Sequence, residues 1–199
     1  MEKTQKTKSK GIQNFSKALI VPILFLPIVG LLLALSAILS NPTFVPKGSA
    51  IYMIGQFLYQ TVSAIISNLS ILFCVGLAFG LAKKKKAEAA LVALMSYLIF
   101  LSANSTFLSL SGKVQTIYLG FHITDMGVFI GIILGCLIAW IHNRYCDKEF
   151  DGPFAIFGNT KLVFLVSCAW VMGISIAAAY VWPFIAGGIS ALSNFISYS

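Results

Sequence analysis

Residues 18–39 read ALIVPILFLPIVGLLLALSAIL, without a single charged side chain. The hydrocarbon core of a bilayer is about 30 Å thick and a helix rises about 1.5 Å per residue, so about 20 apolar residues cross it. The stretch is long enough. A cleavable signal peptide has an apolar core of only about 7–15 residues and a small-residue cleavage site. Pro22 and Pro27 suit a kinked helix packed among others. The reading is a retained first transmembrane helix.

Composition extends that reading to the whole chain. Of 199 residues, 58% are hydrophobic and 10% charged, and mean hydropathy is +0.91. A soluble domain carries about 25% charged residues. So few charges cannot cover a soluble surface, which excludes a soluble enzyme, a disordered chain and a disulfide-stapled secreted module. The net charge of +8 sits in clusters separated by uncharged runs, as in the loops of a multispanning protein. No aromatic residues alternate with the basic ones to stack on bases, so nucleic acid is not the expected partner.

Further spans follow. Asn41, Pro42 and Pro46 break the first helix, and 49–60 reads as an interfacial amphipathic helix with Tyr52 and Tyr59 at the membrane boundary. The second span is placed at 62–82, stopped by Lys83 to Lys86, the third at 89–108, the fourth at 123–141 and the fifth at 162–182. A polar loop around Gly112 and Lys113 separates the third and fourth. Pro183 is expected to end the fifth helix, leaving 184–199 as an interfacial segment or the start of a sixth span. The expected fold is an all-α integral membrane protein with about five transmembrane helices and one interfacial helix.

Basic residues orient it. With a cytoplasmic N-terminus, residues 1–17 carry five lysines inside, the loop after the second span four, and Arg144, Lys148 and Lys161 follow. Only Lys47 and Lys113 fall outside, as the positive-inside rule requires.

Gly127, Gly131, Gly135 and Ala139 recur every four residues and form one helix stripe; Gly76 and Gly80 repeat the spacing. Such stripes let helix backbones approach closely, within or between subunits. Bare backbone lining a solute path is the sharper alternative. Asp125 is the one carboxylate near membrane depth, either a residue of a substrate pathway or a cap on the fourth helix. His122 reads as an outer-interface residue, and His142 with Arg144 as cations complementing a helix C-terminus. Cys74, Cys136 and Cys168 lie in apolar runs and Cys146 has no partner at metal or redox spacing. Paired catalytic carboxylates, metal-ligand clusters, phosphate loops and nucleophile elbows have no match in the sequence. No catalytic residue, metal or cofactor is expected.

Four stretches together resemble a known family. FCVGLAFGLAKKKKAEAALVALMSYLIF (73–100), ITDMGVFIGIILGCLIAWIHNRYCD (123–147), FAIFGNTKLVFLVS (154–167) and AYVWPFIAGGISALSNFI (179–196) resemble the membrane subunit, enzyme IIC (EIIC), of the bacterial sugar phosphotransferase system (PTS), glucose/maltose type. The second resembles that family's "DTGVFGGI … NRFYD" segment with Met126 where threonine is common, and the third its "FFGGxRFVPI" stretch with Asn159 and Thr160 departing from it. The resemblance implies a multi-pass protein of the bacterial cell membrane that takes up glucose, maltose or another α-glucoside with coupled phosphorylation. It implies EIIB and EIIA phosphocarrier domains as partners, and a homodimer. The family's "TEP" motif and sugar-contacting histidine belong to a C-terminal half, and neither motif nor the EIIB "C[IT]TRLR" setting occurs here. Residues 18–199 therefore resemble the N-terminal scaffold and dimerisation half, a truncated or split-gene component needing a C-terminal EIIC half. Alone it is expected neither to bind sugar tightly nor to transfer phosphate. A small self-assembling membrane protein, a pore or a regulator of a membrane complex, is the alternative.

Overall fold

The computed structural model describes residues 2–111, 116–124, 126–149 and 158–197. Its elements are α1 (Glu2–Leu39), α2 (Ala50–Ser67), α3 (Leu69–Leu81), α4 (Lys86–Ser111), the strands β1 (Thr116–Tyr118) and β2 (Phe121–Ile123), α5 (Gly127–Tyr145) and α6 (Thr160–Ser197). Among the described residues, five stretches are long and apolar enough to cross a membrane: Gln13–Leu39, Ala50–Ser67, Lys86–Ser111, Gly127–Tyr145 and Thr160–Ala191. The protein is an all-α, multi-pass membrane protein with one small hairpin added.

Local chemistry sets the boundaries. Between α1 and α2 the Asn41 side chain accepts from the Thr43 amide (2.9 Å), making an Asx turn, and Ser49 caps α2 by accepting from the Tyr52 amide (3.2 Å). The amphipathic stretch expected at 49–60 does not stop at Gln60: α2 continues to Ser67 and the break falls at Asn68. Here Ser63, Ser67 and Asn68 all bond back to carbonyls three or four residues earlier, with Asn68 Nδ2 2.7 Å from the Ala64 carbonyl oxygen. Side chains that compete in this way bend or end a helix. The second apolar run is thus divided between the end of α2 and the 13-residue α3.

Two further boundaries differ from the sequence reading. Ile123 pairs in β2, opposite Thr116, and the helix begins at Gly127. Leu119 (φ +50°) and Gly120 (φ +82°) form a two-residue turn of the kind that closes a tight hairpin. Pro183 lies inside α6, which runs 38 residues, about 57 Å at 1.5 Å per residue. Proline removes one helical hydrogen bond, and helices in membranes tolerate it because neighbouring groups re-satisfy the backbone.

α3 is the hub, packing on α1, α4 and α5, while α6 packs on α4 and α5. The core is built from Cys74, Ala78, Tyr97, Phe100, Leu134 and Ile138, with Val163 and Val171 from α6. α1 and α2 pack on each other and leave apolar faces bare, among them Leu24, Phe25, Leu31 and Phe57.

Candidate functional site

Two backbone-to-backbone seams run through the hub. A Cβ on Gly131 would collide with the carbonyl of Ser70, and one on Gly135 would lie 2.7 Å from the Cys74 carbonyl oxygen and 2.9 Å from Leu77 Cβ. α5 therefore lies directly on α3, in parallel register. On the other side of α3, a Cβ on Gly76 would meet Pro22 Cγ at 2.7 Å, and one on Gly80 would meet Ala18 Cβ at 2.7 Å. Ala139 is buried. Gly127 departs from the stripe: it opens α5 at φ +53° with open space where a Cβ would be, so its glycine serves the backbone turn. Gly55, which the sequence reading did not single out, closes the α1–α2 contact, 2.6 Å from the Leu39 carbonyl carbon on the same construction. Asp125 lies outside the described residues, as do Gly112 and Lys113.

One end of the bundle is clamped and basic. Asn143 Nδ2 donates to the Leu81 carbonyl (3.0 Å) while its Oδ1 accepts from the Lys83 amide (2.8 Å). His142, fully buried, donates from Nε2 to the Lys84 carbonyl (3.0 Å). It is therefore a latch on the lysine turn, not an exposed complement to the helix dipole. Lys84 Nζ meets Asp147 Oδ2 at 2.6 Å. Thr160 hydrogen-bonds Glu88, which brings the start of α6 to the same end, and Gly80 against Ala18 brings α1 there too. Lys17, Lys83 to Lys86, Arg144, Lys148 and Lys161 thus gather at one end, as the positive-inside count requires of a cytoplasmic face.

The hydrogen bond to Lys84 holds the Asp147 carboxyl below its ordinary range and raises the Lys84 ammonium. A depressed carboxylate stabilises above its unfolded pKa, and that contribution is lost as pH falls through the folded value. The pair is exposed, so its effect is small and screened by salt. Burial pushes the Cys146 thiol up, which makes it an inert packing residue. Replacing Asn143 with alanine removes both bonds to the turn and is expected to cost about 1 kcal/mol. Limited tryptic cleavage at Lys83–Lys86 in inside-out vesicles should speed up markedly, while Asp147→Asn should change it little.

The opposite end is held by Asn104. This amide, fully buried on α4, donates to the Ser175 carbonyl of α6 (3.0 Å) and accepts from the Thr124 amide (3.2 Å). Ser105 Oγ accepts from the His122 amide (3.3 Å), fixing the hairpin on α4; the His122 side chain is exposed. Sequence reading missed both asparagines. The available signal was an amide in the apolar run 89–108 and another at a helix C-terminus, where side chains that bridge orphan backbone groups are expected. Among the described residues no three His, Cys, Asp or Glu side chains gather as a metal site.

Comparison with known proteins fits this framework. The family model described as "Phosphotransferase system, EIIC" matches residues 16–199. The maltose-specific EIICB component of the PTS system of Bacillus subtilis (strain 168) is 27% identical over 204 residues, covering 93% of this chain and 38% of that protein. The chain thus spans well under half the length of that curated relative.

Proposed function

Because the chain belongs to the phosphotransferase system EIIC family, we propose that it is the scaffold half of a sugar permease whose transported solute is maltose, glucose or another α-glucoside. The observation that carries this is that the polar side chains clamping both ends of the bundle serve its architecture. Asn104, Asn143 and His142 all bond backbone, and the glycine seams lock α5 and α1 against α3. Such a body is suited to anchoring a moving partner. The bare apolar faces of α1 and α2 support a homodimer through that arm. A C-terminal EIIC half would move the sugar, and EIIB and EIIA phosphocarrier domains would deliver phosphate at the basic end. The relative is itself named as an EIICB component, which supports the phosphocarrier partner.

Labelled-sugar uptake in a transporter-deficient bacterium tests the reading. Expressed alone, the chain should give no uptake of maltose or glucose; with a C-terminal EIIC–EIIB half in trans, uptake should appear. Uptake or solute leak from the chain alone would instead support the self-assembling pore.

A further inference from the structure

A groove runs up the bundle beside the seam where α1 meets α3. Ala18 on Gly80 and Pro22 on Gly76 hold these two helices close, because glycine carries no side chain to keep them apart. Larger side chains flank the contact and stand as walls: Val21 and Phe25 on α1, Leu72 and Val75 on α3. Ile65 in the last turn of α2 and Leu69 in the first turn of α3 border the far end. The groove has a volume of about 430 Å³, and every residue that lines it is apolar.

Height and width select the shape of the occupant. From Val21 to Val29 the α1 wall rises about 12 Å, starting one turn above Lys17. One leaflet's share of the hydrocarbon core is about 15 Å, so the groove fits within the leaflet at the basic end. Spread over that height, its volume gives a section of about 36 Å². A helix with its side chains is about 10–12 Å across and needs about 80–110 Å². An extended chain enters the groove and a helix does not. An apolar cavity does not hold water. Phe25 and Leu72 are exposed at the groove's edges, so in a bilayer it opens onto acyl chains.

Charge selects the headgroup. Four-residue spacing puts Lys17 one turn before Val21 on the same side of α1. Across the groove, Phe79 follows Leu72 and Val75 down the same side of α3, and Lys86 Nζ stands 5.8 Å from the centre of its ring. Among the described residues neither lysine forms an ion pair. Two uncommitted cations thus flank the lower end of a groove of acyl-chain width. Basic pockets between helices on the cytoplasmic side suit anionic lipid headgroups. We propose that the groove binds an anionic phospholipid, with one acyl chain against Val21, Phe25, Leu72 and Val75 and the headgroup between Lys17 and Lys86. The site does not rest on the permease reading above: failed complementation in trans would leave it intact, and its own failure would leave that reading intact.

The test uses the full chain in phosphatidylcholine nanodiscs holding a trace of lipid with a photoactivatable diazirine on its acyl chain. The tracer is phosphatidylglycerol or, in a parallel sample, phosphatidylcholine with the same chains. Labelling is read in the tryptic fragments that carry α1 and α3, and only the part displaced by unlabelled phosphatidylglycerol is counted. That part should be about 25-fold larger with the anionic tracer, at about fivefold for each of two lysines. Lys17→Gln and Lys86→Gln should each lower the ratio about fivefold. Lys148→Gln, at the same basic end but beyond α5, should leave it unchanged. Leu72→Trp, which fills the groove, should reduce labelling by both tracers. Equal labelling by the two tracers, or an unchanged ratio in Lys17→Gln and Lys86→Gln, would overturn the proposal. So would α1 and α3 fragments shielded from both tracers in a chain that is dimeric in the same discs, the mark of a second copy seated on this face.

Discussion

Gly131→Val should cost about 3 kcal/mol or more, the upper end of what overpacking a close contact does. The added atoms would enter the space held by the Ser70 carbonyl, and a backbone carbonyl cannot swing aside as a flexible side chain can. α5 would have to lift off α3, which would also pull Asn143 and His142 away from the lysine turn. Gly135→Val should be milder, since part of what it meets is the Leu77 side chain. Gly173→Ala is the control: nothing lies within 4 Å of its added Cβ, and alanine favours a helix over glycine. Reversible unfolding in mixed micelles reads all three. Equal stability of Gly131→Val and Gly173→Ala would remove the seam from the account.

Asn104→Leu should cost about 1–2 kcal/mol. It strands the Thr124 amide, an unfavourable buried orphan, and removes the second bond to the helical Ser175 carbonyl that ties α4 to α6. Hydrogen bonds between membrane helices are individually modest because the separated helices find other partners. The more telling readout is local. The hairpin should loosen, so hydrogen exchange at Thr124 and His122 should accelerate while amides in the α3–α5 seam keep their protection. Uniform acceleration everywhere would mean that Asn104 holds general stability and has no special hold on the hairpin.

These two variants also mark where reading the chain as text succeeds and stops. Apolar length located the membrane helices, because the bilayer sets a threshold that Ala18 to Leu39 passes without tertiary information. Four-residue spacing located Gly131 and Gly135, because helix periodicity is local. The same spacing placed Gly127 in the stripe, since period alone does not reveal that the helix starts there with φ +53°. Asn68 and Pro183 exchanged expected roles. Proline looked like the stop but a membrane helix carried it through, whereas a cluster of serines and one asparagine, each individually unremarkable, ended α2. Asn104 stayed unread because its partners are 20 and 71 residues away along the chain. The hairpin was legible only in retrospect, as two short β-favouring triplets around Leu119–Gly120.

The most direct test of the scaffold account is a covalent chimera. Residues 16–199 would replace the matching segment of the Bacillus subtilis maltose-specific EIICB component, in a strain lacking maltose uptake. The account predicts that the chimera restores accumulation of labelled, phosphorylated sugar, and that Gly131→Val within it abolishes this. A chimera that reaches the membrane folded and in normal amount, yet takes up no sugar, would contradict it.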